Sequence, residues 1–135
     1  MKKGDFKKAG SEKNFENRVK KYLQSKGIYA VGTSKNKMTK SPVGYYEKRF
    51  GNAYVTAGLP DLHISVLGVD IEVELKAPNG KPSELQLRMI EQMNDTCAKA
   101  VILYEEVPAR YKDDYHYIDF DEFKILIDEA IKGMI

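Results

Sequence analysis

One heptapeptide, Asp70 to Lys76, alternates charged and apolar residues and reads Asp-Ile-Glu-Val-Glu-Leu-Lys. Strict alternation is typical of a half-buried β-strand, because successive strand side chains point to opposite faces of a sheet. The polar residues Glu72, Glu74 and Lys76 are therefore predicted to share one face. The opposite face is predicted to be apolar and to consist of Ile71, Val73 and Leu75.

A second apolar run, Leu62 to Leu67, precedes this heptapeptide and begins directly after Asp61. Gly68 lies between the two runs, which indicates a hairpin turn between two antiparallel strands. In such a hairpin Asp61 lies at the far end of the second strand. We therefore predict that the side chains of Asp61, Glu74 and Lys76 converge.

Two carboxylates and an ammonium group at one point suit the hydrolysis of a phosphodiester. Mg²⁺ or Mn²⁺ prefers oxygen ligands, and Asp61, Glu74 and the backbone carbonyl of Leu75 are the predicted ligands. Lys76 is predicted to lie against the attacking water or the phosphate, where its charge favours the developing negative charge. The sequence leaves open whether Lys76 orients the water or deprotonates it.

The spacing of Pro60-Asp61 and Glu74-Leu75-Lys76 resembles the motif of the PD-(D/E)XK nuclease superfamily. It is similar in particular to stand-alone VRR-NUC domains of viral and bacterial origin. Upstream, Phe15 to Gly27 resembles the first helix of archaeal-type Holliday junction resolvases, which carries an acidic residue near the metal. Downstream, Pro82 to Gln86 resembles the VRR-NUC segment in which a glutamine opens the helix after the catalytic strand. The resemblance covers roughly residues 11 to 105.

This resemblance implies an α/β fold of the restriction-endonuclease type, with a mixed β-sheet flanked by α-helices. It implies an endonuclease that depends on Mg²⁺ or Mn²⁺, acts on DNA with a preference for four-way junctions or other branched DNA, and works as a homodimer. Glu16 is expected to assist the metal shell, although Glu12 lies one helical turn earlier on a similar face. The implied catalytic residues are Glu16, Asp61, Glu74, Lys76 and Gln86.

Structural explanations compete with each of these roles. A Pro-Asp pair commonly marks a turn, and an alternating strand commonly forms a solvated sheet surface with cross-strand ion pairs. Ser83 and Gln86 fit a capping box, a role that is compatible with a place in the active site.

Two other functions also stay open: a sequence-specific restriction-type endonuclease, and a non-catalytic DNA-binding or assembly module that retains the fold.

The net charge of +2 conceals two halves of opposite sign. Residues 1 to 60 contain 14 Lys and Arg against 4 Asp and Glu, whereas residues 61 to 135 contain 8 against 16. Such asymmetry suggests that the first half contacts a polyanion. The competing explanation is a mobile charged loop with core-packing tyrosines. Cations interleaved with aromatics suit phosphate contacts and base stacking, so the predicted nucleic-acid-binding residues are Lys35, Lys37, Lys40, Tyr45, Tyr46, Lys48 and Arg49.

The length of 135 residues fits one domain, predicted over residues 11–135 after a basic flexible tail over residues 1–10. No apolar run approaches the ~20 residues of a membrane span, so the expected location is the cytoplasm, bacterial or of a host if the protein is viral. The single cysteine, Cys97, is predicted to be a buried structural thiol.

The predicted elements follow from periodicity, caps and turn residues. A loop is expected between the first strand and the hairpin, from Ser34 to Asn52. Helices are predicted over Ser11–Lys26, over Glu84–Ala98 and from Asp121, and strands over Ile28–Val31, Leu62–Leu67, Val69–Lys76 and Ala100–Tyr104.

Overall fold

A computed structural model describes residues 3–50, 56–96 and 98–135, with the side chains of the first helix described from Glu12 onward. Within these residues the fold is α/β: a six-stranded mixed sheet with three α-helices, which confirms the predicted fold class. The strands lie in sequence order across the sheet. The elements are α1 (Lys3–Ser25), β1 (Ile28–Ala30), β2 (Gly44–Lys48), β3 (Leu62–Val66), β4 (Val69–Leu75), α2 (Glu84–Thr96), β5 (Lys99–Leu103), β6 (Tyr117–Ile118) and α3 (Phe120–Ile131).

Helix α1 begins at Lys3, upstream of the predicted start at Ser11. The helical backbone therefore includes most of the segment predicted as a tail, and Ser11 lies within the helix and does not cap it. One stripe of the helix, Phe15, Val19 and Leu23, packs into the core and is almost fully buried. The chain leaves the helix through Gly27, whose φ of +86° is one that glycine adopts at little cost.

The predicted hairpin is confirmed. Strands β3 and β4 are antiparallel, and Val66 pairs with Val69 across a two-residue turn of Leu67 and Gly68. Both turn residues have positive φ, +46° and +87°, as a type I′ turn requires. Leu62 pairs with Val73 at the other end, so Asp61 is aligned with Glu74.

The prediction that Ser34–Asn52 is a loop is wrong for Gly44–Lys48. These residues form β2, which pairs in parallel with β1 and antiparallel with β3. This segment forms a strand because it pairs with β1 on one side and with β3 on the other. Its own sequence shows no alternation of polar and apolar residues that would predict a strand. Gly44 is required there, because a Cβ atom at this position would collide with the carbonyl oxygen of Ser65. The short β6 was also absent from the predicted elements, and residues 51–52 of that loop lie outside the described residues.

Both faces of the central strand β4 are covered, whereas the alternating sequence predicted one solvated face. One face packs into a core with α1 and α3 through Ile71, Val73 and Leu75. The other carries Glu72 and Glu74, which are only 6% and 3% exposed. The competing explanation of a solvated sheet surface therefore does not hold for Glu72 and Glu74, because other side chains cover them.

The C-terminal half follows the predicted order of helix, strand and helix. Strand β5 pairs in parallel with β4 after the crossover through α2, as the buried run predicted. Helix α3 begins after Asp119, which forms a capping box with Glu122. The predicted thiol, Cys97, lies outside the described residues. Across the described ranges, none of the helices combines the length and apolar character that crossing a bilayer demands.

The hairpin turn offers a test of backbone strain. Leu67 is 62% exposed and holds a φ of +46°, which costs a non-glycine residue on the order of 1 kcal/mol. Leu67→Asn should raise the free energy of unfolding by about 1 kcal/mol, since asparagine tolerates this conformation. Urea unfolding measures the change. Leu67→Ala keeps the Cβ and serves as the control, and equal stability of both variants would contradict a strained turn.

Candidate active site

The carboxylates of Asp61 and Glu74 meet at one end of the central strands. Asp61 directly precedes β3, and its Oδ2 accepts a hydrogen bond of 3.0 Å from the backbone N–H of Leu75. Because the hairpin register continues to this point, the Glu74 side chain lies beside that carboxylate. Asp61, Glu74 and the backbone N–H of Leu75 therefore meet at this end of the two strands.

The segment before Asp61 is held tightly against α2. Gly58 has a φ of +84°, and a Cβ atom there would lie 2.6 Å from Cγ of Leu85. Only glycine therefore fits between the Pro60-Asp61 corner and the first turn of α2. This contact brings the beginning of α2, and with it Gln86, toward the carboxylate pair.

Lys76 and Gln86 complete the cluster around Glu74. The ammonium of Lys76 lies 3.2 Å from Glu74 Oε2 and donates to Gln86 Oε1 at 3.0 Å. The amide nitrogen of Gln86 donates to Glu74 Oε2 at 3.1 Å. Gln86 also closes the predicted capping box with Ser83, through bonds of 2.9 and 3.1 Å. The capping role of Gln86 and its place in the site are thus combined in one side chain.

The second oxygen of Glu74 has no such partner. Glu74 Oε1 is buried and has no hydrogen-bond partner among the described residues. Burial, together with repulsion from Asp61, outweighs the attraction of Lys76 and raises the pKa of Glu74 to about 7. A buried carboxylate with a raised pKa and a lone acceptor is characteristic of functional sites.

An ion pair that the sequence did not predict supports the Pro60-Asp61 corner. The guanidinium of Arg49 contacts both carboxylate oxygens of Glu72, at 2.6 and 3.0 Å, and also donates to the carbonyl of Pro60 at 2.9 Å. The Arg49 backbone N–H donates to the carbonyl of Asp61 at 2.7 Å. His63 lies 2.7 Å from Glu72 on the other side. The alternation of β4 was the sequence feature that could have pointed to Glu72 as part of this site, because it places Glu72 on the same strand face as Glu74.

Glu16 lies among lysines. Its carboxylate contacts the ammonium groups of Lys13, Lys20 and Lys48. Burial opposes its charge, but these contacts prevail and lower the pKa of Glu16 to about 2. Within the described ranges, three or more His, Cys, Asp or Glu side chains are nowhere gathered to hold a metal, so Glu16 does not join Asp61 and Glu74 in such a group. Its role in a metal shell stays a prediction, and Glu12 is exposed.

The predicted nucleic-acid-binding residues fall into two groups. Lys48 and Arg49 pair with acidic side chains, and Tyr46 is 4% exposed and accepts a hydrogen bond from Gln24. Tyr46 is therefore a core residue, in line with the competing explanation for the tyrosines. Lys35, Lys37, Lys40 and Tyr45 are exposed and accessible to a ligand.

The chain was compared with protein-family models, with curated proteins and with solved structures, and no match was found. The chemistry of the site therefore rests on its own geometry: two adjacent carboxylates, an ammonium and an amide. The resemblance to VRR-NUC domains stays a prediction from the short motif.

The Arg49 ion pair predicts a large loss of stability on truncation. Arg49→Ala leaves Glu72 buried without its cation and frees the Pro60 carbonyl, so the free energy of unfolding should fall by about 3 kcal/mol. Urea unfolding of the purified variant measures this. Arg88→Ala removes an exposed arginine of α2 and should change stability little. A loss for Arg49→Ala no greater than for this control would contradict the supporting role.

The raised pKa of Glu74 predicts a specific pH dependence. In the native state this carboxyl binds its proton more tightly than the unfolded chain does, so the wild-type protein loses stability as pH rises from about 4.5 to about 7. Glu74→Gln removes the buried charge and should be more stable than the wild type by up to about 3 kcal/mol at pH 8 without metal, and by little at pH 4.5.

Thermal unfolding in chelator across this pH range tests the effect. Glu91→Gln, at an exposed position of α2, provides the control and should follow the wild type at every pH. A constant difference between Glu74→Gln and the wild type across the range would show that Glu74 has an ordinary pKa.

Proposed function

We propose that this protein is a metal-dependent DNA endonuclease that hydrolyses phosphodiester bonds at the Asp61–Glu74 pair. The observation that carries the proposal is the pairing of two carboxylates, one of them buried with an unpartnered oxygen, beside the ammonium of Lys76. A protein without catalytic function gains nothing from this arrangement, because the adjacent negative charges destabilise the native state.

The residues fit a hard divalent cation such as Mg²⁺ or Mn²⁺. Mg²⁺ is commonly held by one or two carboxylates, with water and substrate phosphate completing its shell, so a group of three acidic ligands is not required. The unpartnered Glu74 Oε1 is the acceptor that such a cation satisfies. Asp61 Oδ2 accepts a hydrogen bond from the backbone N–H of Leu75. The backbone carbonyl of Leu75 is the proposed third ligand.

Each side chain then has a distinct task. Asp61 and Glu74 bind the cation, which when bound supplies an activated water and neutralises charge on the phosphate. Lys76 lies against Glu74 and offers a positive charge to the scissile phosphate as negative charge develops there. Gln86 receives one hydrogen bond from Lys76 and donates another to Glu74, so it holds the two catalytic groups in fixed relative positions.

Branched DNA, four-way junctions in particular, is the proposed substrate class, and a homodimer the proposed assembly. Resolving a junction requires two matched cuts. A two-fold symmetric homodimer provides two identical active sites for them. Within a domain of this size few residues are left to read bases, which makes a sequence-specific restriction-type enzyme the weaker candidate.

Cleavage of supercoiled plasmid and of a synthetic four-way junction tests the proposal. The wild type should cut both with Mg²⁺ or Mn²⁺, and neither in chelator. Asp61→Asn should bind Mn²⁺ more weakly and fail to cut, whereas Asp95→Asn, an exposed control on α2, should behave as the wild type. An absence of cutting on every substrate would favour a non-catalytic DNA-binding module.

In this proposal Lys76 acts in the cleavage step and contributes little to DNA binding. Lys76→Ala should reduce the cleavage rate of bound junction by at least about 100-fold, because the positive charge next to the phosphate is removed, while DNA affinity stays within a few-fold. Single-turnover cleavage at saturating protein and a binding assay in chelator measure the two quantities. Lys112→Ala, an exposed lysine, is the matched control. Weaker binding with an unchanged rate per bound complex would contradict the catalytic role of Lys76.

A further inference from the structure

Three lysines converge on the single carboxylate of Glu16. Lys13 and Lys20 contact Oε2 at 3.3 and 3.2 Å, and Lys48 contacts Oε1 at 2.5 Å. Lys13 and Lys20 come from the turns of α1 before and after Glu16, and Lys48 comes from the end of β2. Elements distant in sequence thus bring three positive charges to one negative charge.

Neutralising Glu16 requires only one of these ammonium groups. Burying a carboxylate is costly, but one well-placed cation offsets that cost, and each further cation adds repulsion between the lysines. The cluster therefore carries positive charge in excess of what the fold requires. Each ammonium has three N–H donors, and the side chains of Lys13, Lys20 and Lys48 are 67%, 24% and 21% exposed. Donors remain for an anion that approaches from solvent.

The lysine cluster lies at the same end of the strands as the candidate active site, on the opposite face of the sheet, where α1 packs. Lys48 pairs with Leu62, the residue after Asp61. Arg18 of α1 contacts Glu105, which follows the end of β5, and this end lies next to Leu75 in β4. The middle of α1 therefore flanks the end of the strands where Asp61, Glu74 and Lys76 meet.

The outward face of α1 continues this positive surface. A shallow groove of about 700 Å³ runs along the helix, and every side chain that lines it is an amide or a cation. Amides and cations are the side chains that contact phosphate and sugar oxygens in protein–DNA complexes. The lining residues are Asn14, Asn17, Arg18, Lys20, Lys21 and Gln24.

We propose that Lys13, Lys20 and Lys48 bind a backbone phosphate of DNA on the α1 face of the sheet, at the end of the strands that carries the candidate active site, with Glu16 as the residue that positions the three ammonium groups. The inference rests on the proposed nuclease function and extends it, because it specifies where the substrate backbone lies. Glu16 then acts through the lysines and is not a metal ligand. The α1 groove guides the strand that leads away from the cut.

The test measures binding of a fluorescent four-way junction in chelator, where no cleavage takes place, at several salt concentrations. Lys13→Ala/Lys20→Ala should weaken binding about tenfold and lower the slope of log K against log salt by about 0.9 for each phosphate that the variant no longer neutralises. The control, Lys112→Ala/Lys132→Ala, removes two exposed lysines of the acidic half and should leave affinity and slope unchanged.

Glu16→Gln distinguishes a positioning residue from a metal ligand. If Glu16 is a positioning residue, Glu16→Gln should leave Mn²⁺ affinity unchanged. Junction binding should be no weaker, because the substitution removes a negative charge from the phosphate site. Weaker Mn²⁺ binding would instead assign Glu16 to the metal and overturn the inference. Should this variant fail to fold, the Lys13→Ala/Lys20→Ala result decides alone.

Failure of this inference and failure of the nuclease function give different results. A protein that cuts DNA, but whose junction affinity and salt slope are the same in the lysine variant and the control, overturns the phosphate site alone. A protein that binds DNA through these lysines, yet never cuts it with Mg²⁺ or Mn²⁺, overturns the nuclease function and leaves the phosphate site supported. Wild-type protein that does not bind the junction overturns the phosphate site directly.

Discussion

The register of the β3–β4 hairpin is the constraint on which the site depends. Leu62 pairs with Val73, so Asp61 lies opposite Glu74 at the end where β3 begins and β4 finishes. A shift of one residue would turn Glu74 toward the apolar core and move Val73 into the polar cluster. The two-residue turn, the close approach of Gly44 to Ser65 and the burial of the apolar face all favour the observed register. The backbone that builds the core therefore also aligns the carboxylates.

Two glutamates on one face of β4 differ in how their charge is compensated. Glu72 accepts hydrogen bonds from the two terminal nitrogens of the Arg49 guanidinium and lies next to His63, so its charge is paired. Glu74 shares a single oxygen between Lys76 and Gln86, lies beside Asp61 and leaves its other oxygen without a partner among the described residues. The paired glutamate supports the Pro60-Asp61 corner through Arg49. The incompletely compensated glutamate is the one suited to hold a cation.

Two charged groups lie around this end of the sheet. The acidic pair and the ammonium of Lys76 form one group, and the lysines around Glu16 form a second group at the same end, on the opposite face. We infer that the first group acts on the scissile phosphate while the second holds another phosphate of the same DNA, which orients the backbone before the reaction. The opposite net charges of the two halves of the chain are consistent with this proposal.

Local sequence pattern determined a large part of this protein: the hairpin, α2, β5, α3, the capping box at Ser83 and Gln86, and the meeting of Asp61, Glu74 and Lys76. Each depends on periodicity or on a turn residue, which is encoded within a few positions. Only the tertiary structure decided that Gly44–Lys48 is a strand, that Tyr46 is in the core, that Arg49 pairs with Glu72 and that Glu16 lies among lysines. These features arise from contacts between segments distant along the chain, and such contacts leave no local period to be read.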